Sequence, residues 1–341
     1  RCGTAYGTVP PPHAGKNHIV VGAVNANDDS MTDFSSWGPV DDGRIKPDFV
    51  APGCQVGGDN GVTSVSGFDN TGYVTICGTS MAAPTVTGLS ALLIQDFKAH
   101  FPDRPLPRNA TLKALLAHTA VDLGNTGPDY QFGYGSVRIQ PAIDLMRSGM
   151  FREDSLTQGG AFTRTIGVSG GTPELKGTLA WDDFPAVPNV ASSLVNDLEL
   201  IVTSPSKTRY YPWTLNPAAP GDPAVQTQAD HINNIEQVRV PNPEPGNWTI
   251  EVSGYNVPEG PQSFSLVGDG ADQSGIAIDF PAGLPSIVNA GEAQEIMVQL
   301  LAVGENIVPG SARLHYRLDG GAFQSLPLTA DVGAAYTGSL P

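Results

Sequence analysis

The sequence predicts an α/β domain followed by an all-β jelly roll and a small β-sandwich, and three observations carry that prediction. A short apolar, β-branched run at residues 18–24 is typical of a strand buried in a parallel sheet. Two stretches with leucines at helical spacing follow, at about 80–101 and 109–120. After about residue 151, short alternating segments separated by Pro, Gly and Asn replace the helical spacing, which favours a sandwich or jelly roll.

The first domain is predicted over residues 1–150. Small residues crowd the first half of the helix at 80–101, and Asn109 is a plausible N-cap for the helix that follows. A glycine-rich turn at 131–135 precedes a last short helix at about 141–150. Pro and Gly residues at 38–39 and 52–53 mark sharp turns around the short strands.

Two further domains are predicted over residues 151–270 and 271–341. Alternating segments at 178–181, 198–202, 238–240, 248–252 and 263–267 supply the strands of the first of these. Segments at 296–300 and 312–318, followed by an Asp-Gly-Gly turn at 319–321, indicate part of a small β-sandwich.

Composition excludes several classes of function. The formal net charge is −16, and no stretch of clustered Lys and Arg offers a footprint for a phosphate backbone. No apolar run approaches the roughly 18 residues that a membrane helix needs. We therefore expect neither nucleic-acid binding nor a membrane span.

The chain has three cysteines, Cys2, Cys54 and Cys77, and an odd number leaves one without a partner. A bridge between Cys54 and Cys77 would close what looks like a hairpin and would suit an oxidising compartment. Three buried thiols are the alternative, and the sequence leaves both open.

The heptapeptide Gly-Thr-Ser-Met-Ala-Ala-Pro at 78–84 contains residue types that suit the surroundings of a catalytic nucleophile. Its small residues let a substrate backbone approach closely. A serine at the start of a helix lies beside free backbone N–H groups and the positive end of the helix dipole, so the Ser80 N–H is a candidate oxyanion donor. Pro84 is predicted in the first turn, where a missing N–H costs nothing.

Together with the segments at 21–24, 34–39 and 46–53, this heptapeptide resembles the C-terminal half of a subtilisin-family catalytic domain. Segments at 181–183, 194–200, 233–236 and 255–262 resemble the β jelly-roll domain of the oxidatively stable alkaline subtilases. The last domain resembles an immunoglobulin-like or fibronectin-like module.

The resemblance makes Ser80 the nucleophile of a secreted serine endopeptidase that acts through an acyl-enzyme. The family's triad runs Asp, His, Ser along the chain, and neither its Asp motif nor its His motif occurs before Ser80. His13 and His18 precede Ser80, but they lie in a loop that the family uses as framework. The family's side-chain oxyanion donor, an Asn, is also missing.

A serine without a base is a weak nucleophile, so the chain alone is expected to be inactive. Three explanations stay open: a fragment, one half of a nicked enzyme that retains its N-terminal piece, or a pseudoenzyme. The expected partners are a protein or peptide substrate and the chain's own cleaved N-terminal segment. The alternative is a non-catalytic module that binds the substrate or stabilises the enzyme.

Oxygen-bearing side chains suggest a structural calcium site in the jelly roll, although acidic loop residues are often merely solvated. The first candidate set is Asp182, Asn196 and Asp197, and the second is Asp230, Asn234 and Glu236. No cofactor is expected for catalysis. The loop at 4–13 either lines a substrate pocket, as it does in the family, or is a surface loop.

Overall fold

The computed structural model describes residues 5–58, 60–188, 190–269, 275–280, 293–303, 307–308, 310–317, 321–331 and 335–340. The described residues contain three helices and eighteen strands in chain order. The first part holds β1 (Val21–Asn25), β2 (Phe49–Cys54), β3 (Val62–Val65), β4 (Tyr73–Ile76), α1 (Thr79–His100), α2 (Asn109–Thr119) and α3 (Ile139–Arg147). The strands of the middle part are β5 (Phe151–Leu156), β6 (Ala161–Val168), β7 (Glu174–Trp181), β8 (Asp197–Thr203), β9 (Arg209–Tyr210), β10 (Ile235–Pro241), β11 (Gly246–Asn256) and β12 (Gln262–Gly268). The last part holds β13 (Gly275–Asp279), β14 (Gln294–Val303), β15 (Arg313–Tyr316), β16 (Gln324–Pro327), β17 (Thr329–Ala330) and β18 (Ala335–Leu340).

Strands β1 and β2 form a parallel pair, with Val21 opposite Phe49 and Ala23 opposite Ala51. Their buried side chains pack against α1, which contributes Ala82, Val86 and other small or apolar residues to the same core. The parallel strand pair and the helix predicted at 80–101 are thus both present. The structure is a mixed arrangement of helices and sheets in which strands predominate.

Pro84 corrects one expectation from the sequence. Helix α1 begins at Thr79, which makes Pro84 its sixth residue and places it in the second turn. A residue there would normally donate its N–H to the carbonyl oxygen of Ser80, and proline has no N–H to donate. The prediction that Pro84 lies in the first turn was wrong, because even a helix that began at Ser80 would have Pro84 as its fifth residue.

Asn109 corrects a second expectation. Arg108 occupies the N-cap of α2, and Asn109 is the first helical residue. The Asn109 amide Nδ2 donates instead to the Asn17 carbonyl oxygen and to Asp182 Oδ1, each at 3.0 Å. Its side chain therefore links α2 to two distant loops rather than capping its own helix.

Strands β3 and β4 form an antiparallel hairpin directly before α1. A disulfide between Cys54 and Cys77 closes the base of this hairpin, with the two Cα atoms 4.6 Å apart. The chain continues from Cys77 through Gly78 and Thr79 to Ser80. The disulfide therefore ties the end of β2 to the segment that carries the candidate nucleophile.

Residues 151–268 form two four-stranded antiparallel sheets, with strand orders β10-β7-β12-β5 and β6-β11-β8-β9. Side chains from both sheets share one core, in which Trp181 and Trp248 are fully buried. The alternation seen in the sequence places these apolar side chains on the inner faces. The structure is a two-sheet sandwich, and its assignment to the jelly-roll type stays a prediction.

The sandwich packs against the first segment through α2, which contacts β7 and β12. Lys16 and Asp183 form a buried ion pair across this interface. Thr111 Oγ1 and Ser265 Oγ share a hydrogen bond of 2.7 Å, also buried. These polar contacts fix the sandwich to the segment that carries Ser80.

Four of the last strands form a sheet of order β13-β14-β18-β17, and β15 pairs with β16. Ile296, Val298, Leu300 and Leu328 form its buried cluster. The turn predicted at 319–321 lies largely outside the described residues. The immunoglobulin-like assignment stays a prediction, and the three domain boundaries stay predictions as well.

Candidate active site

Ser80 is the second residue of α1 and is exposed to solvent. Gly78 precedes the helix and donates its N–H to the Gly53 carbonyl oxygen at the end of β2, at 2.9 Å. The strand, the disulfide and this hydrogen bond together set the direction in which the chain enters the helix. The serine hydroxyl is consequently presented at the surface of the domain.

The backbone at the start of α1 fits the predicted oxyanion role of the Ser80 N–H. Met81 and Ala82 donate their N–H groups to the Gly78 carbonyl oxygen at 3.0 and 3.4 Å. Within the part of the chain that the structure describes, no group accepts a hydrogen bond from the Ser80 N–H. A free N–H in the first helical turn, at the positive end of the dipole, can stabilise a negative oxygen.

A cavity of about 530 Å³ opens beside the serine. Its lining is mostly apolar and comes from three parts of the chain: the loop before β1, the start of β1 with the segment after it, and the approach to α1. The lining residues are Val9, Pro10, His13, Val20, Val21, Gly22, Phe34, Ser35, Ser36, Pro47, Cys77, Gly78, Thr79 and Ser80. Val9, Pro10 and His13 of the predicted loop therefore share a cavity with Ser80, whereas the part played by Phe34 and Val21 was not predicted.

The described histidines are the candidates for a base that would activate Ser80. The Ser80 hydroxyl has no hydrogen-bond partner in that part of the chain. His13 lines the same cavity, but its Nδ1 lies 3.2 Å from the Pro10 carbonyl oxygen. His118 and His231 pair with Asp269 and Asp197 in other regions of the fold.

A buried charge cluster adjoins Pro47 and Val20, which line the cavity. Lys46 Nζ donates to Asp48 Oδ2 at 2.6 Å, and Lys113 Nζ lies 3.9 Å from Asp48 Oδ1. Asp48 Oδ2 also accepts the Val20 N–H at 2.7 Å, which fixes the chain before β1. Burial lowers the pKa of Lys46 to about 8 and also lowers that of Lys113.

The three residues of the first predicted calcium set each form hydrogen bonds with different partners. Asp182 is exposed and its Oδ1 accepts from Asn109, whereas Asp197 Oδ2 pairs with His231 at 2.8 Å. The Asn196 amide is occupied, since Nδ2 donates to the Glu259 carbonyl and to Gln262 Oε1 while Oδ1 accepts the Glu259 N–H. Both ends of the Asn196 amide thus already form hydrogen bonds with other parts of the protein.

The second set has a different character. Glu236 is fully buried, and its Oε2 accepts the Leu200 N–H at 2.7 Å. Its other oxygen, Oε1, is buried without a hydrogen-bond partner. The same is true of Oδ1 of Asp197, a member of the first set. Burial raises the pKa of both carboxyls, to about 6 for Asp197, and their mutual repulsion with Asp230 adds to the effect.

Neither set forms a complete metal centre from acidic, His and Cys side chains. In the described ranges, no cluster of three or more such side chains is suited to a metal ion. Asp230 Oδ1 accepts the N–H groups of Ile232 and Asn233, and Oδ2 accepts a hydrogen bond from Asn233 Nδ2. The Asn234 amide Nδ2 donates to the Trp181 carbonyl oxygen at 2.7 Å.

The site places a serine in the first turn of a helix, beside a mostly apolar cavity. Residues 4–135 match the model of the Subtilase family. This match confirms the resemblance found in the motifs for residues 4–135, which are similar to the subtilisin-like serine peptidases. Among the described residues, no helix has the length and apolarity required to cross a membrane.

Curated relatives agree with this assignment. A serine protease/ABC transporter B family protein, tagB of Dictyostelium discoideum, is 27% identical over 309 residues, which cover 71% of this chain and 16% of that protein. A C5a peptidase of Streptococcus pyogenes is 36% identical over 99 residues, which cover 29% of this chain and 8% of that protein. This chain therefore spans less than a fifth of the length of these relatives.

Among solved structures, a lanthipeptide protease is 30% identical and matches with a TM-score of 0.34 over 40% of this chain and 43% of that one. Fervidolysin from Fervidobacterium pennivorans, described as a keratinolytic enzyme related to subtilisin, is 20% identical. It covers 94% of this chain and 44% of that one, with a TM-score of 0.30.

Proposed function

We propose that this chain is the nucleophile-bearing part of a serine endopeptidase that cleaves proteins or peptides through an acyl-enzyme on Ser80. The observation that carries the proposal is the position of Ser80 in the first turn of α1, exposed at an apolar cavity of about 530 Å³. The Ser80 oxygen would attack the scissile carbonyl carbon. The free Ser80 N–H would then donate to the oxyanion that forms.

Catalysis requires a histidine that removes the hydroxyl proton and an acid that orients it. We propose that both come from a polypeptide segment outside these 341 residues, since no described histidine forms a hydrogen bond with Ser80. The 341-residue chain alone is then expected to be inactive. A pseudoenzyme that only binds remains the rival function.

Complementation tests this proposal. The chain would be mixed with a polypeptide that carries the two family motifs for Asp and His, and hydrolysis of fluorescein-labelled casein would be followed. We expect hydrolysis from the mixture, none from either part, and none from a mixture made with Ser80→Ala. A mixture that forms a stable complex but never hydrolyses casein would support the pseudoenzyme.

We propose that the protein works in an oxidising compartment outside the cytoplasm. The Cys54–Cys77 disulfide supports this, because such bridges persist where thiols are not kept reduced. Alkylation of the native protein before and after reduction checks it. Both cysteines should react only after reduction, and their ready alkylation in the unreduced protein would contradict the proposal.

A structural calcium ion is a separate proposal, supported by the partnerless buried oxygens of Glu236 and Asp197. Calcium accepts carboxylate, amide and backbone oxygens. We expect calcium to raise the melting temperature relative to EDTA, and Glu236→Gln to abolish that rise. A rise that survives Glu236→Gln but disappears in Asp182→Asn would favour the first set, and no rise at all would refute calcium.

A further inference from the structure

The hairpin before the nucleophile carries an unusual concentration of exposed apolar side chains. Phe68 is 93% exposed at its turn, and Val65 and Tyr73 are 73% and 74% exposed near the ends of β3 and β4. Monomeric proteins rarely leave such side chains grouped in solvent without a function. We define Val65, Phe68 and Tyr73 as the hairpin patch.

The register of the hairpin explains why Val65 and Tyr73 lie together. Val65 pairs directly with Tyr73, and Thr63 pairs with Thr75 two positions nearer the base. Side chains of residues that face each other, and of residues two apart, lie on the same face of a strand pair. Val65 and Tyr73 therefore share one face, and that face is exposed along its whole length.

The turn that holds Phe68 is internally bonded. Ser66 donates its N–H to the Gly72 carbonyl oxygen at 2.9 Å, and Phe68 donates its N–H to Ser66 Oγ at 3.0 Å. Asp69 Oδ1 accepts the N–H groups of Thr71 and Gly72. These bonds satisfy the turn's backbone without burying Phe68.

The hairpin that carries the patch leads into the candidate active site. Strand β4 ends at Ile76, and the next residues, Cys77 to Ser80, line the cavity beside the nucleophile. The Cys54–Cys77 disulfide fixes the hairpin to that lining. A chain bound in the cavity would therefore pass beside the hairpin on leaving it.

The chemistry of the hairpin favours an extended, apolar or basic polypeptide. Residues 56–76 contain two aspartates and neither Lys nor Arg, within a chain of net charge −16. Among the described strands, β3 and β4 pair only with each other, so their outer edges offer backbone groups to an added strand. Exposed aromatic side chains supply anchors of the kind that dominate polypeptide binding.

We propose that the hairpin patch binds the polypeptide substrate outside the cleavage cavity and so selects extended, apolar segments. This inference rests on the proposed peptidase function. Because binding needs no base, it is testable on the chain with Ser80→Ala, in which no cleavage can occur.

The experiment measures fluorescence anisotropy of fluorescein-labelled insulin B chain, with its cysteines carbamidomethylated and so uncharged, in the presence of the Ser80→Ala protein. We expect saturable binding, weakened about fivefold to tenfold by Phe68→Ser and by Tyr73→Thr. Phe184→Ser and Val187→Thr remove apolar side chains that are 50% and 73% exposed elsewhere, and both should leave Kd unchanged. Equal melting temperatures would show that all four variants are folded.

Absence of saturable binding, or Kd values unaffected by Phe68→Ser and Tyr73→Thr, would overturn the inference. So would sedimentation showing that the hairpin patch pairs two copies of this chain and excludes the probe. Failure of the peptidase function would appear differently, as probe binding that depends on Phe68 in a chain that never gains activity by complementation.

Discussion

Lys16 Nζ lies 2.5 Å from Asp183 Oδ2, and this buried ion pair joins the loop before β1 to the sandwich. Lys16 also donates to the carbonyl oxygens of Phe184 and Ser193. Asp183 accepts the N–H groups of Val195 and Asn196 at 2.8 Å. The pair thus organises the loop at 183–196 and holds it against the segment that carries Ser80.

Asp183→Ala should lower the free energy of unfolding by about 3–5 kcal/mol, because it leaves a buried ammonium without its counter-charge. We also expect the α/β segment to unfold before the sandwich once the pair is lost. Urea denaturation followed by circular dichroism and tryptophan fluorescence measures both. Asp103→Ala, at an exposed position, is the control, and a loss below about 1 kcal/mol in Asp183→Ala would contradict the prediction.

Removing the Cys54–Cys77 bridge should lower the free energy of unfolding by about 3 kcal/mol, because a loop of this length is no longer constrained in the unfolded chain. The single variants Cys54→Ala and Cys77→Ala and the double variant should be equally destabilised, since each opens the same bridge. Guanidinium denaturation measures the three. A single variant as stable as the parent would show that the bridge contributes nothing.

Stability should rise between pH 7 and pH 10 through Lys46. Its folded pKa of about 8 lies below the ordinary value of 10.5, so the unfolded chain binds more protons in that window. The cost of burying the charged ammonium is therefore removed as the pH rises, a gain of about 2 kcal/mol.

Denaturation curves at several pH values measure this gain. Lys46→Met should flatten the rise, whereas Lys98→Met, at an exposed position in the last turn of α1, should not. A parent protein whose stability falls or stays level from pH 7 to pH 10, with Lys46→Met following the same curve, would refute the role assigned to Lys46.

The sequence was most informative where chemistry is local. The heptapeptide at 78–84 predicted a serine at the start of a helix, and α1 begins one residue before Ser80. The alternation of apolar and polar residues predicted the strands that contain Trp181 and Trp248. Burial of one face of a sheet requires an apolar residue at every second position of a strand.

It was least informative where the partners of a side chain are distant in the chain. Lys16 and Asp183 are 167 residues apart, and neither has a local pattern that indicates an ion pair. Asn109 was predicted as a cap because only its neighbours were visible, whereas its partners, Asn17 and Asp182, come from other loops. His231 and Asp197, 34 residues apart, were missed for the same reason.

The central claim is that Ser80 is a peptidase nucleophile whose base comes from outside these 341 residues. Its most direct test is the intact mass of the denatured protein after treatment with a fluorophosphonate probe. We predict no adduct when the spectrum contains this chain alone, and one adduct at Ser80 once the complementing polypeptide is present. An adduct at Ser80 on the chain alone would contradict the claim, and so would none at Ser80 in a complex that hydrolyses casein.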